Sequence, residues 1–100
     1  MRRVKRAHVK PMDDVVCEYY LRFMARDKPG VLGAIASILG RNGISIASVI
    51  QQEREREKTV PVIMRTHEAP ERNLKRALRQ IRPLGSVDAE PAVIRIEENL

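Results

Sequence analysis

The period of the apolar residues changes abruptly at the segment Asp27-Lys28-Pro29-Gly30. Alternating apolar residues precede this segment, which is typical of a strand with one buried side, and a stripe at helical spacing follows it. The alternating set is Tyr19, Leu21, Phe23 and Ala25, and the helical set is Val31, Leu32, Ile35, Ile38 and Leu39. Such a change requires a tight turn. Asp27 can accept hydrogen bonds from the next helical turn, and Pro29 presets φ for a helix start.

The rest of the chain continues to alternate between these two periods and predicts the order βαββαβ. The predicted strands are 18–26, 44–52, 59–67 and 87–96, and the predicted helices start after Gly30 and at Glu68-Ala69-Pro70. Gly43 suits a left-handed helix end, and the charged run 53–58 predicts a solvated hairpin tip. The order predicts an α+β, ferredoxin-like sandwich, with a four-stranded antiparallel sheet and both helices on one face.

Two features of the predicted strands concern the edges and the uncovered face of this sheet. Pro61 lacks a ladder donor, so we expect the third strand to lie at an edge or to contain a bulge. The second strand has apolar residues of both parities, with Ile44, Ile46 and Ile50 on one and Ala47 and Val49 on the other. Because two helices cover only one face, we expect a homodimer or a larger oligomer.

The net charge of +6 is concentrated at the start of the chain. The first ten residues contain five Lys and Arg residues and no acid, whereas the remaining ninety contain 14 basic and 13 acidic residues. A folded part this close to neutrality does not indicate a polyanion partner. We therefore divide the chain into a basic arm or linker, residues 1–17, and one folded domain, residues 18–98.

Residues that could support catalysis or hold a metal are few and scattered. Cys17 is the single cysteine, and His8 and His67 stand far apart in sequence, so we expect no catalytic group and no metal site. Gly30 and Gly33 lack the context of a phosphate-binding loop, and no G-x-G-x-x-G is present, so we expect no cofactor. No apolar run is long enough to span a membrane and no signal peptide is evident, which favours the cytoplasm.

RNA-recognition domains share the βαββαβ order, so RNA binding is an alternative. Those domains stack bases on aromatic residues of the third strand. Residues 59–65 contain no aromatic residue, and Tyr19, Tyr20 and Phe23 all belong to the first strand. The aromatic platform is missing, and we therefore expect no nucleic-acid partner.

The turn after the first strand predicts a binding site rather than a reactive one. Gly30 has no Cβ and leaves the amides of the first helical turn open. Together with the positive end of the helix dipole, these amides can bind a carboxylate or another small anion. A plain capped strand-to-helix turn is the alternative that the hexapeptide 27–32 leaves open.

Several of these segments together resemble the ACT domain, an amino-acid-sensing regulatory module, and in particular the C-terminal ACT domain of bacterial homoserine dehydrogenases. The segments are YYLR from Tyr19, DKPGVL from Asp27, GISI from Gly43, THEA from Thr66 and VIRIE from Val93. The resemblance extends from about Tyr19 to Glu97. It implies a module that lacks the catalytic domain and mediates inhibition of the enzyme by threonine.

The resemblance also implies a site and partners. ACT domains commonly pair side by side and bind ligand at the interface, near the first loop and the start of the second strand. The implied ligand-binding residues are Asp27, Gly30, Val31, Leu32 and Ser45, with Asp27 suited to a ligand ammonium. The implied partners are threonine or a similar amino acid, a second copy, and the catalytic domain of a parent enzyme. A stand-alone dimerisation module without ligand is the alternative.

Overall fold

The computed structural model describes residues 14–51 and 58–96, with backbone alone for residues 88–90. Residues 1–13 of the predicted arm, most of the charged run 53–58 and the last predicted domain residues therefore lie outside the described residues. The end of the predicted arm is described, and its residues Val16 and Cys17 belong to the first strand. The predicted sandwich is confirmed, and its two helices pack on one face of an antiparallel sheet. The elements are β1 (Val16–Arg26), α1 (Val31–Arg41), β2 (Ile46–Gln51), β3 (Thr59–Thr66), β4 (Ala69–Pro70), α2 (Glu71–Ile81) and β5 (Val87–Ile96).

Strand β1 is the centre of the sheet. It pairs antiparallel with β3 from Tyr20↔Arg65 to Arg26↔Thr59, and on its other edge with β5 from Glu18↔Ile96 to Ala25↔Val87. Strand β2 pairs with β3 and forms an edge of the described sheet. Because β1 and β2 both run antiparallel to β3, their carboxyl ends lie at the same end of the sheet.

The core lies between the sheet and the helices and follows the predicted periods. In β1 every second residue is buried, and β3 shows the same alternation. Helix α1 contributes a buried stripe at helical spacing, and α2 contributes a second. The largest fully buried side chains are Tyr19, Phe23, Leu21, Ile35, Leu39, Met64 and Ile81.

Two sequence predictions about local structure are wrong. Strand β3 is internal rather than an edge, although the described β2–β3 pairing ends at Gln51↔Val62 and so stops before Pro61. Ala69 and Pro70 form the short strand β4, which pairs with Val16 and Cys17 at the start of β1. The second helix therefore begins at Glu71, because Pro70 has extended φ and ψ of −66° and 142°.

The sheet face opposite the helices is called the open face below. Its side chains belong to the even-numbered residues of β1 from Glu18 onward and to the residues that pair with them in β3 and β5. Tyr20 is 44% exposed and Ile94 is 62% exposed, although both are large apolar residues. Within the described residues no helix covers this face.

Candidate functional site

A cavity of about 320 Å³ opens where β1 ends and α1 begins. Residues 25–32 form most of its wall, and Gln51 and Val62 complete it. The topology explains why β1 and β2 both contribute residues to this wall, since the two strands end at the same end of the sheet. The predicted site residues Asp27, Gly30, Val31 and Leu32 all line the cavity. This volume is at the small end of the range for small-molecule sites.

The turn that shapes the cavity depends on Gly30. Its φ is +88°, in the left-handed region that glycine adopts without steric cost, and it is the N-cap residue of α1. The prediction that Asp27 caps the helix is therefore wrong, because the N-cap residue of α1 is Gly30 and not Asp27. Gly30 has no side chain with which to cap, and the first turn contains no acidic residue.

Some amides of this first turn are open to a ligand. The N–H of Val31 donates to the Lys28 carbonyl at 3.3 Å, and the N–H of Ala34 donates to the Gly30 carbonyl at 2.9 Å. In the described part of the chain, no backbone carbonyl accepts the N–H of Leu32 or Gly33. These two donors lie at the positive end of the helix dipole and can bind a small anion. Gly33 was not among the predicted residues.

Asp27 lines the same cavity as Leu32. Its backbone N–H donates to the Lys58 carbonyl at 2.8 Å, which ties the turn to the start of β3. The residue is only 6% exposed. A buried carboxylate near unsatisfied amides offers complementary charges to the two ends of a zwitterion.

Ser45 does not join the other predicted site residues within one chain. It lies before the start of β2, where its carbonyl accepts the His67 N–H at 2.9 Å, and it does not line the cavity. Ser45 and Gln51 are six positions apart, which is roughly 20 Å in an extended strand. Gln51, at the cavity end of β2, was missed by the sequence prediction. The parallel direction of β1 and β2 in the predicted fold was the signal that could have identified it.

A second buried polar cluster lies away from the cavity, where α2 begins. Arg95 donates two hydrogen bonds to the Glu71 carboxylate, at 2.7 and 2.8 Å, and the Tyr19 hydroxyl donates to the same carboxylate at 3.2 Å. The bonds from Arg95 lower the pKa of Glu71 below its ordinary value. Burial is the main cause that raises the pKa of Tyr19. Because Glu71 accepts bonds from both other side chains, the cluster joins β1, α2 and β5.

The described residues contain neither a cluster of metal-ligating side chains nor a helix that could span a membrane. Among residues 14–51, 58–87 and 91–96 there is no group of three His, Cys, Asp or Glu side chains close enough to hold an ion. No helix in the same part of the chain is long and apolar enough to cross a bilayer.

Comparisons with known proteins place this arrangement in a family. The family model of the ACT domain matches residues 19–85. Homoserine dehydrogenase of Neisseria gonorrhoeae is 35% identical over 95% of this chain and 22% of its own length. The corresponding enzyme of Pseudomonas aeruginosa is 36% identical over 90% of this chain and 21% of its own length. The chain thus spans about a fifth of the length of these relatives.

Solved structures give the same result. A homoserine dehydrogenase from Thiobacillus denitrificans superposes with a TM-score of 0.79 and 37% identity, covering 89% of this chain and 19% of that one. The ACT domain of a GTP pyrophosphokinase from Chlorobium tepidum has a TM-score of 0.60 at 13% identity, covering 82% of this chain and 100% of that one, and it supports the fold alone. The chain therefore belongs to the ACT domain family, and it is similar to the part of homoserine dehydrogenases that it matches.

Proposed function

We propose that this chain is the regulatory, amino-acid-binding domain of a homoserine dehydrogenase, with threonine as its ligand. The observation that carries the proposal is a small cavity lined by the buried Asp27 and by Leu32, whose N–H has no backbone acceptor among the described residues. On this proposal the domain senses the end product and inhibits a cytoplasmic enzyme, while the catalytic groups belong to another domain.

The ligand geometry follows from the charges around the cavity. The carboxylate of the amino acid accepts hydrogen bonds from the Leu32 and Gly33 amides, and its ammonium group donates to Asp27. Gln51, on the opposite wall, can both donate to and accept from a side-chain hydroxyl. A hydroxylated side chain such as that of threonine is therefore favoured over an aliphatic one of equal size.

A second copy would complete this site. Strand β2 pairs only with β3 in the described sheet, so its outer edge presents unpaired backbone groups. Antiparallel pairing of two β2 strands about a two-fold axis places the start of one strand beside the end of the other. Ser45 of a second copy would then lie near the Gly30 turn, although the two positions are far apart within one chain.

The experiment that tests ligand binding is a thermal-shift panel of the twenty amino acids. At 100 times its dissociation constant a ligand adds about 2.7 kcal/mol, which raises the melting temperature of a domain of this size by about 10 °C or more. We expect threonine to give the largest shift. A flat panel would contradict the proposal and favour a dimerisation module without ligand, and a shift with oligoribonucleotides alone would favour RNA binding.

Sharing of the site between copies has its own test. We expect Gly30→Val and Ser45→Trp each to weaken threonine binding at least about ten-fold at every site of the pure variants. A mixture of the two variants should recover roughly a quarter of the sites, because half of the randomly paired dimers contain one intact site. No recovery in the mixture, with both variants folded, would show that Ser45 does not contribute across an interface.

A further inference from the structure

The outer side of α2 carries a stripe of cations. The apolar residues of this helix are buried against the core at helical spacing. On the opposite side, the helix and its C-cap residue present five exposed basic side chains: Arg72, Lys75, Arg76, Arg79 and Arg82. They extend over about 15 Å of the helix axis. These five side chains are called the basic face below.

Acidic side chains compensate for little of this charge. Helix α1 contains no acid, and the single acid of α2 is Glu71, which is buried in the cluster described above. Arg72 pairs with Asp14, but no acidic side chain of the described residues forms an ion pair with Arg76 or Arg79. Outside residues 71–82, residues 11–100 contain 9 basic and 12 acidic residues. The near neutrality of the folded part therefore averages over two regions of opposite charge.

The chain enters the fold beside the basic face. The Val15 carbonyl accepts the Glu71 N–H at 2.8 Å, and the Asp14 carboxylate pairs with Arg72 at the start of the stripe. The five Lys and Arg residues of the arm precede this attachment point in the sequence. Their charge adds to the attraction that the basic face exerts on a polyanion.

We propose that the basic face binds the phosphate backbone of a nucleic-acid duplex, without preference for base sequence. Four of its five cations are arginines, whose planar guanidinium groups can donate two hydrogen bonds to one phosphate. A duplex carries one negative charge for about every 1.7 Å of its axis. A stripe of this length can therefore contact several phosphates at once. The proposal goes beyond amino-acid sensing and does not depend on it.

The surroundings of the stripe favour a duplex over a membrane or an acidic protein. A basic helix that binds a membrane inserts its apolar side into the lipid, whereas the apolar side of α2 is already buried in the core. Protein interfaces are centred on apolar or aromatic side chains. In the described residues, however, every large exposed hydrophobic side chain belongs to β1, β2 or β5. A strongly positive surface without apolar anchors is typical of contacts to a nucleic-acid backbone.

The aromatic residues distinguish a duplex from a single strand. Proteins that bind single strands stack the bases on aromatic side chains. The aromatic residues of this chain are Tyr19, Tyr20 and Phe23, and all of them lie in β1. The expectation of no nucleic-acid partner depended on these residues and on the net charge of the folded part. Neither observation concerns the outer side of α2.

Fluorescence anisotropy of a labelled DNA duplex of about 20 base pairs tests the proposal on the full 100-residue chain, at salt concentrations from about 50 to 200 mM. Lys75→Gln combined with Arg79→Gln removes two cations from the stripe. This double variant should bind at least about ten-fold more weakly at about 50 mM salt. The slope of log affinity against log salt should also become shallower by about two units. Two duplexes of unrelated sequence should bind equally well.

Two further variants separate the position of the charge from its amount. Arg22→Gln combined with Lys28→Gln removes the same residue types from the open face and the cavity, where both residues are exposed, and should weaken binding by less than about three-fold. Lys75→Arg combined with Arg79→Lys exchanges the two cations of the stripe. It keeps the composition and the charge, and it should bind like the unaltered chain.

Each outcome decides for or against the basic face. The proposal is wrong if no duplex binds below about 100 μM at the lowest salt, which is the weak end of non-specific binding. It is also wrong if the control pair costs as much affinity as the pair in α2, or if the pair in α2 costs none and the arm alone binds. Tighter binding to vesicles of phosphatidylserine or to poly-glutamate than to the duplex would overturn it in favour of lipid or acidic protein. Threonine binding is measured without nucleic acid, so either proposal can fail alone.

Discussion

Gly30 determines both the local geometry and the proposed chemistry of the site. Its φ of +88° turns the chain at the start of α1, where Leu32 lines the cavity and the amides of Leu32 and Gly33 have no backbone acceptor among the described residues. A Cβ at Gly30 would meet no heavy atom within 4 Å, so a substitution there is opposed by backbone strain and not by crowding.

The first prediction concerns this position. Gly30→Ala should lower the free energy of unfolding by about 1–2 kcal/mol, because alanine disfavours a left-handed φ. The control Gly40→Ala lies in α1, where an added Cβ also meets open space, and it should raise the free energy of unfolding by about 0.5–1 kcal/mol. Urea titrations measure both. Equal effects of the two substitutions would contradict the role of the left-handed turn.

The second prediction concerns Glu71 and Arg95. Since Arg95 holds the pKa of Glu71 below its unfolded value of about 4.3, the ion pair stabilises the fold fully above that pH and progressively less as the pH falls through the folded pKa. Arg95→Gln should therefore cost about 1–2 kcal/mol at neutral pH, a value reduced because Arg95 is 38% exposed. The difference between variant and unaltered chain should shrink below about pH 4.

An exposed ion pair provides the control for that measurement. Arg72 pairs with Asp14, and their side chains are 53% and 48% exposed. Arg72→Gln should change the free energy of unfolding by less than about 0.5 kcal/mol at any pH. A cost at Arg95 that did not depend on pH would show that its packing, and not its charge, stabilises the fold.

Residue types alone predicted the site unevenly. Gly30 was predicted as a site residue because it has no Cβ and leaves the first amides of the helix open, but its positive φ was not predicted. Gln51 and the partnership of Glu71 with Arg95 were not, since each depends on strands that meet only after the sheet forms. The carboxylate of Glu71 and the guanidinium of Arg95 are 24 residues apart in sequence.

At the scale of elements, periodicity predicted the strands and helices well and their ends less well. Strands β1, β3 and β5 and both helices follow the apolar patterns of the sequence, because each buries one face against the same core. Strand β4 was missed, since a pair of residues has no period. The edge position expected from Pro61 was wrong because β3 pairs with β1 on one side and β2 on the other. The described β2–β3 pairing ends at Gln51↔Val62, so β2 takes no ladder bond from Pro61.

The junction between the helices gives the third prediction. Asn42 is 4% exposed at the end of α1, and its side chain donates to the Ile38 carbonyl and Gln80 and accepts from Arg76. Asn42→Ala should lower the free energy of unfolding by about 1–3 kcal/mol, because it removes bonds of a buried amide. Asn73→Ala, which removes a long 3.5 Å bond from Arg76, is the control and should cost less than about 1 kcal/mol. Urea denaturation measures both free energies. Equal losses for Asn42→Ala and Asn73→Ala would contradict a stabilising role of the Asn42 hydrogen bonds.

At the scale of the whole molecule, one side of the sheet is filled by its own helices, whereas in the described residues the other side and one edge are not covered. The proposed ligand site lies at that edge, with Gln51 on its wall and Ser45 about a strand length away. On the proposed pairing of two β2 strands, each copy supplies one part of the ligand site of the other. Sequence patterns predicted the uncovered face, because two helices can cover only one side of the sheet.

Calorimetric titration of threonine into the folded chain tests the central claim most directly. We expect saturable binding of about one threonine per chain. Gly30→Val should weaken it ten-fold to about a hundred-fold through loss of carboxylate contacts, with Gly40→Ala unchanged. Asp27→Asn, which removes the charge facing the ammonium, should weaken binding to a similar extent. Absence of heat, or equal affinity in all folded variants, would contradict a sensing site at the start of α1.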